Sequence, residues 1–348
     1  MKRSELNYPY PEELVGVTPV YPPRVLFCSP QNTAEISWDQ LLKQFQPGDV
    51  LVLNDTKVLK RRIFTEEGLE ILFLGPAAKF ESNSNSEPAY IYWEALFPSK
   101  KLTVGDKIKL PFGVEAELVQ KGRPQILKLN QPVNENYFEK NGELPLPPYI
   151  QRARDQRHNQ EDDQKNYQTV WAKKPGSLAA PTASLHLKEQ DLEKLKASGV
   201  EILKVTLHVG LGTFLPITAE DLKDHVMHSE YVEISNSVWQ KIKKAKQDAK
   251  TVWSLGTTVT RTLESQALGF FKQNQNQDWV GTTDLLIKPG FEFKIVDKLL
   301  TNFHQPESTL IALVAAFSGL DNVKAAYAQA IEKKMRLFSY GDLSVWTK

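Results

Sequence analysis

Cysteine is almost missing from this chain. One residue of 348, Cys28, is a cysteine, so neither an internal disulfide nor a cysteine-based zinc site can form. That usage suits a reducing compartment, and a cytoplasmic location is expected. A dominant charge sign is missing too: 43 Lys and Arg against 42 Asp and Glu leave a formal net charge of +1. No global field then draws the chain to nucleic acid or to a membrane, and any polyanion site has to be a local basic patch. No apolar run is long enough to span a bilayer; the longest, 309–320, reads as a buried helix. Lys2 and Arg3 are not followed by an apolar stretch, which argues against a secretory signal. Gly210-Leu211-Gly212 lacks the third glycine of a dinucleotide fingerprint, and Pro216 stops a helix from starting directly after it. A P-loop and the His-Glu-X-X-His pattern of metalloproteases are absent as well.

What is present suits a large globular core: 41% apolar and 24% charged residues. Residues 38–45 repeat at helical spacing and stop at Pro47-Gly48-Asp49. Residues 50–53 then read as a buried strand, with Asn54, Asp55, Thr56 and Lys57 at its C-terminal end, where α/β folds place ligands. From 63 to 146 the texture changes to short strand-like runs, at 69–74, 90–97, 107–110, 114–119 and 126–129, mostly separated by glycine turns. That predicts a small β-barrel or sandwich, with a polar loop at 82–86 and a proline-rich exit at 145–148. Residues 152–167 are polar and expected to be exposed. Beyond them, strands are predicted at 200–209, 251–255 and 285–287. Helices are predicted at 238–249 behind Ser235, from Thr257 and Thr258 as caps to Glu264, from Pro306 to before Gly319, and at 325–336. The alternation predicts an α/β fold: an α/β barrel-like main domain, 1–62 and 150–348, with an inserted all-β barrel, 63–149.

Four segments hold residue types that do chemistry. In an extended 205–210, His208 shares a face with Thr206 and Gly210, and Gly210 and Gly212 let a ligand approach the backbone beside Thr213. A core histidine beside a tight turn is the plainer reading. A strand running into Gly256-Thr257-Thr258 would offer N–H groups to a carboxylate or phosphate, and Arg261 would pair with Glu264. Ordinary capping is the alternative. His225, His228 and Glu230 form a candidate metal set, against a hydrogen-bonded structural or substrate-binding pair. The densest segment runs from Asp284 through Asn302 and His304 to Ser308 and Thr309. If 300–304 is extended, Asn302 and His304 share a face, and the histidine can serve as a base near neutral pH.

Taken together, eight stretches resemble the S-adenosylmethionine:tRNA ribosyltransferase-isomerase family of queuosine synthesis. They are Pro-Gly-Asp-Val-Leu-Val-Leu-Asn-Asp-Thr-Lys (47–57), Tyr-Gln-Thr-Val-Trp-Ala (167–172), Ala-Ala-Pro-Thr-Ala-Ser-Leu-His (179–186), Leu-His-Val-Gly-Leu-Gly-Thr-Phe (207–214), Met-His-Ser-Glu (227–230), Gly-Thr-Thr-Val-Thr-Arg-Thr-Leu-Glu-Ser (256–265), 283–319 and Ser-Tyr-Gly-Asp (339–342). The resemblance implies an α/β barrel with an inserted β-barrel. It implies movement of the ribosyl part of S-adenosylmethionine onto the aminomethyl group of a 7-deazaguanine at the tRNA wobble position. Adenine and methionine leave, and the ribose becomes an epoxycyclopentanediol. S-adenosylmethionine is consumed as a substrate, so no cofactor and no metal are implied, and a cytoplasmic monomer is expected.

That reaction asks for a base to take the C5′ proton beside the sulfonium, with His304 or His208 as candidates. It asks for a donor to departing adenine, with His186, Asp284 or Glu264 as candidates. The methionine carboxylate is expected near Thr257 and Thr258. Substrate contacts are expected from residues 54–57, Thr182, His186, Gly210, Gly212, Thr213, His228, Arg261, Asn302, Ser308 and Thr309. Phosphates of tRNA would meet Lys57, Lys60, Arg61 and Arg62, then Arg152, Arg154 and Arg157, then Lys173 and Lys174. The chain departs from the family pattern after Arg24, at 343–346, and at Ser184, Leu187, Leu215 and Gln305. Two other readings follow: a tRNA-binding paralogue without turnover or with another acceptor, and a metal-dependent hydrolase using His225 and His228.

Overall fold

Val50–Asn54 is a strand buried along its whole length, and its neighbours explain why. Val50 and Val52 pack into one apolar cluster, while Leu51 and Leu53 pack into a second on the opposite face. A strand covered on both sides reads as a continuous apolar run rather than an alternating one. The computed structural model describes residues 1–77, 90–147, 149–150, 158–159, 161–210, 212 and 217–348. The loop at 82–86, Pro148, Arg152, Arg154, Arg157, Leu211, Thr213, Phe214, Leu215 and Pro216 lie outside the described residues.

The protein is a mixed α/β structure of two compact units. The first comprises Met1–Lys57, Pro147–Gln151 and Lys165–Lys348; the second comprises Val58–Leu146 and Arg152–Gln164. The first is built on a ten-stranded sheet. Its order is Lys272–Gln273, Trp279–Thr283, Glu230–Ile234, Glu201–Leu207, Val50–Asn54, Val252–Leu255, Lys298–Asn302, Leu343–Thr347, Val25–Cys28 and Thr33–Ile36. The four strands from Glu201–Leu207 to Lys298–Asn302 are mutually parallel, and antiparallel pairs flank them on both sides. The helix Asn236–Gln247 buries Trp239, Ile242 and Ala245 on one face of the sheet. Trp38–Leu42 and Glu189–Ala197 bury Trp38, Leu41, Leu192 and Leu195 on the other.

The second unit is a six-stranded antiparallel sheet in the order Arg62–Phe64, Glu70–Pro76, Tyr90–Leu96, Gln125–Val133, Glu115–Gln120 and Lys107–Lys109. Alternate residues such as Ile71, Phe73, Trp93 and Ala95 point into its core, and Phe138 from the helix Glu135–Asn141 packs among them.

Several local expectations change. Ser235 does cap its helix, accepting from the Val238 N–H, but that helix is Asn236–Gln247. The helix cap before Thr257 is Gly256 at φ 95°, so Thr257 and Thr258 sit inside the first turn rather than capping it. Pro306 does not open a helix: Ser308 caps Thr309–Ser318 by accepting from Ile311 N–H. The last helix is Leu320–Glu332, since Gly319 at φ 84° breaks the apolar run into two helices bent by 110°. Among the described residues no single helix is long and apolar enough to cross a membrane. Residues 285–287 form no strand; the strand precedes them, at Trp279–Thr283. Tyr167, expected on an exposed polar segment, is fully buried. Strands at Val25–Cys28, Thr33–Ile36, Glu230–Ile234 and Leu343–Thr347 add to the sheet.

Arg261 and Glu264 do not pair. Glu264 lies on the buried face of its helix, where its carboxylate accepts the N–H groups of Lys294, Ile295 and Val296 at 2.8, 3.0 and 2.9 Å. One side chain thus satisfies three consecutive backbone donors that no strand or helix serves. Glu264→Ala strands all three and is expected to destabilise folding by about 3 kcal/mol or more, with Glu264→Gln costing less. Urea unfolding of the two variants checks this; an unchanged midpoint for Glu264→Ala would contradict it.

Candidate active site

The four parallel strands end at one edge of the sheet, and the candidate residues follow those ends. Asn54 closes the first strand. Its carboxamide accepts from Leu207 N–H at 3.1 Å and donates to Leu207 C=O at 2.9 Å. The same oxygen accepts from Thr56 N–H at 3.1 Å, and the amide nitrogen reaches Thr258 Oγ1 at 3.5 Å. Asp55 accepts from Thr206 Oγ1 at 2.6 Å, and Thr56 Oγ1 bonds His208 Nδ1 at 2.8 Å. The structure therefore brings Asn54, Asp55, Thr56, His208 and Thr258 into one connected group. Lys57 is exposed beside it.

The His208 imidazole is packed against its ring face by two neighbours. Tyr231 stacks on it, with ring centroids 5.6 Å apart and planes 19° apart. A Cβ on Gly176 would lie 2.6–2.7 Å from Cδ2, Nε2 and Cε1 alike, which places it over the ring face rather than beside an edge. Only glycine fits there. His208 is half-buried, and burial pushes its pKa down. Asp55 and Glu233 oppose that shift, while Lys174 adds to it.

A second group adjoins the first. Thr182 Oγ1 donates to Asn302 Oδ1 at 3.1 Å, and Asn302 Nδ2 bonds His186 Nε2 at 2.8 Å and Phe338 C=O at 3.0 Å. The amide nitrogen donates, so His186 accepts through Nε2 and carries its proton on Nδ1. Burial, then the Arg336 charge, lowers the His186 pKa to about 3. Ala183, in the Thr182–His186 turn, lies against Gly256 at the start of the Thr257–Ala267 helix.

His304 does not share a face with Asn302. The strand stops at Asn302, and His304 turns inward so that Nε2 bonds Thr301 Oγ1 at 2.9 Å. The His304 carbonyl accepts from Tyr8 OH at 2.6 Å, and the His304 N–H donates to Tyr327 OH at 3.0 Å. Burial lowers its pKa to about 3, so the expected base near neutrality is a neutral, buried imidazole.

Other expectations fall elsewhere. Arg261 pairs with Glu230, whose carboxylate also accepts from Gly210 N–H at 3.0 Å; burial lowers the Arg261 pKa to about 10. Glu230 is thus engaged and not open to a metal, and among the described residues no group of three His, Cys, Asp or Glu is placed to hold one. The His228 ring lies 3.3 Å from where a Gly212 Cβ would sit. Glu264 spends its carboxylate on the three amides above, which removes it as a donor to adenine. Ser308 is engaged as a cap and also donates to Gln305 C=O at 2.7 Å. Asp284 is exposed. In the second unit, Arg61 is buried against the Trp93 and Phe138 rings and paired with Glu135; Arg62 is buried and paired with Glu143. Lys60 bonds Glu139. The two buried guanidiniums are not available to phosphates, because their charges are matched inside the fold. Lys174 pairs with Glu233, while Lys173 is exposed.

Thr206, Tyr231 and Gly176 were not read from the sequence as site residues. The alternation of 205–210 placed Thr206 beside His208, which was a usable signal; Gly176 and Tyr231 gave none.

A family model described as queuosine biosynthesis protein matches residues 3–345. The chain belongs to the queuosine biosynthesis protein family. Relatives named S-adenosylmethionine:tRNA ribosyltransferase-isomerase include those of Halothermothrix orenii and Carboxydothermus hydrogenoformans, each 41% identical over 98% of both chains. The Staphylococcus epidermidis relative of the same name is 39% identical over 98% of both chains. A crystal structure of S-adenosylmethionine tRNA ribosyltransferase from Thermotoga maritima is 28% identical, covers 98% of this chain and 99% of its own, and superposes with a TM-score of 0.54. In this family member the strand-edge groups above are drawn from five of the stretches that carry the resemblance: 47–57, 179–186, 207–214, 256–265 and 283–319.

His186 and His304 ionise in the folded chain near pH 3, below their ordinary 6.5. Between those values the unfolded chain binds more protons, so their contribution to stability is complete above pH 6.5 and is lost as pH falls toward 3. His304→Gln is expected to flatten the fall in urea midpoint across that window. A fall as steep as in the wild type would show that His304 does not titrate there.

Proposed function

We propose that this chain is a ribosyltransferase-isomerase acting on S-adenosylmethionine and tRNA. It moves the ribosyl group onto the 7-aminomethyl-7-deazaguanine wobble base and isomerises it to epoxyqueuosine, releasing adenine and methionine. The observation that carries the reading is about 40% identity to relatives of that name along nearly the whole chain. S-adenosylmethionine is spent as a substrate, so the reaction itself calls for no cofactor. Within this reading a single chain works in the cytoplasm.

The site is the edge where the parallel strands end. His208 is the base for the C5′ proton in preference to His304: it is half-buried, and its other ring nitrogen is anchored on Thr56. With Nδ1–H donating to Thr56, the Nε2 lone pair is free to accept the proton. The sulfonium beside C5′ stabilises the electron pair left on carbon. The first turn at Thr257 and Thr258 takes the methionine carboxylate, its N–H groups favouring an anion. Asn302, Thr182 and His186 form the wall beside it, and His186, through its Nδ1–H, and Asp284 remain the candidates to donate to departing adenine. Of the candidate phosphate contacts among the described residues, Lys57 and Lys173 are exposed and suit tRNA phosphate. The reading also takes the ten-stranded sheet as barrel-like and the six-stranded sheet as an inserted small barrel. A single core drawn from all six strands of that sheet supports the latter.

Purified chain incubated with S-adenosylmethionine and tRNA bearing the deazaguanine precursor is expected to release adenine. His208→Gln should lower that rate roughly 10²–10⁴-fold while S-adenosylmethionine still binds. No adenine release from the wild type, with tRNA bound, would favour a paralogue with another acceptor. Full activity in His208→Gln would remove it as the base.

A further inference from the structure

A base is useful only at a fixed separation from the group that anchors its substrate. His208 and the turn at Thr257 and Thr258 lie on different segments of the first unit, so something has to set that separation. The backbone around His208 is held one group at a time. The His208 N–H donates to Tyr231 C=O at 3.0 Å. The Val209 N–H donates to Ser177 Oγ at 2.9 Å, and the Val209 carbonyl accepts from Leu178 N–H at 2.9 Å. The next donor, the Gly210 N–H, goes to a side chain, Glu230 Oε1, at 3.0 Å.

Two side chains join this span to the helix Thr257–Ala267, one at each end of it. Before His208, the Asn54 carboxamide holds both main-chain groups of Leu207 and reaches Thr258 Oγ1. After His208, the Glu230 carboxylate holds Gly210 and pairs with Arg261. Thr258 and Arg261 are three apart, so they lie on one side of that helix. The ion pair is shielded, with the Glu230 and Arg261 side chains 5% and 13% exposed. Replacing a buried ion pair by apolar residues of similar volume is often neutral for stability. What the pair adds is geometry, because a guanidinium fork fixes a carboxylate in direction as well as in distance. Glu230 also directly precedes Tyr231, whose ring packs on His208.

We propose that Glu230 and Arg261 are positioning residues for the reaction: they clamp the far end of the His208 segment to the helix whose first turn takes the methionine carboxylate. The inference rests on the ribosyltransferase reading above. Neither side chain touches the reacting atoms. The clamp holds base and anchor in register, so that a substrate seated on Thr257 and Thr258 presents its C5′ proton to His208. Without it the anchor still binds and the imidazole still accepts a proton, but the two are out of register.

The test is the double variant Glu230→Gln/Arg261→Met, assayed with S-adenosylmethionine and tRNA bearing the deazaguanine precursor. Gln keeps an acceptor for the Gly210 N–H, and Met keeps apolar volume without an unpaired charge, so the link alone is cut. The kcat for adenine release should fall about 10²-fold. The S-adenosylmethionine Kd and the Tm should stay close to those of the wild type. The pH midpoint of kcat should not move, since one charge of each sign is removed. Arg261→Lys keeps the charge opposite Glu230 but not the fork, and should lose less kcat at unchanged Kd even where the double variant fails to fold. Wild-type kcat in either folded variant overturns the inference and leaves the function standing. A rise in Kd in place of the fall in kcat overturns it in favour of a substrate contact. A Tm falling in step with kcat in both variants overturns it in favour of packing. A shifted pH midpoint overturns it in favour of a proton carried by Glu230. No adenine release by the wild type overturns both readings.

Discussion

The carboxamide of Asn54 does the work of a missing peptide group. Glu201–Leu207 pairs in parallel with Val50–Asn54 only as far as Val205, and its last two residues turn to an antiparallel partner, Glu230–Ile234. Leu207 then has no main-chain partner on the Val50 side. Asn54 supplies one, accepting its N–H and donating to its C=O as a neighbouring strand would. An unpaired backbone pair buried at that depth would be costly. With the edge sealed in this way the chain is free to leave the sheet at Asp55, and the polar side chains of residues 55 and 56 meet Thr206 and His208.

The three histidines near this edge differ by environment, not by residue type. His186 and His304 are enclosed, bonded to neutral amide and hydroxyl groups, and held neutral by loss of solvent. His208 has Gly176 and Tyr231 packed against its ring but has charged neighbours of both signs, and it keeps a share of solvent. Face packing fixes the plane of a ring without desolvating its edge, which is the arrangement a proton acceptor requires.

Several charges that look like ligand-binding groups in the sequence are consumed internally. Arg61, Arg62 and Arg261 are buried and paired with Glu135, Glu143 and Glu230, and Glu264 is saturated by backbone amides. Burying a guanidinium is tolerable only with such a partner. A run such as Lys60-Arg61-Arg62 looks like a phosphate patch in one dimension because sequence does not record where the matching glutamates lie, 74 and 81 residues further on for the two arginines. Of the basic residues named as phosphate contacts from the sequence, Lys57 and Lys173 remain exposed among the described residues.

Local composition by itself determined much of the framework. The apolar run at 50–53, the helix behind Ser235, the short strands of the second unit and the placing of 54–57 at a strand end all follow from periodicity and turn residues, which act over a few positions. The stretches resembling one family were equally legible, because they are contiguous. Tertiary structure alone decided which histidine stays accessible, that Glu264 serves amides rather than chemistry, and that Arg61 and Arg62 face inward. It also decided that Arg261 reaches Gly210 through Glu230. The physical reason is the same in each case: burial and pairing depend on partners such as Tyr8 and His304, 296 positions apart, that only the folded chain brings within a hydrogen bond.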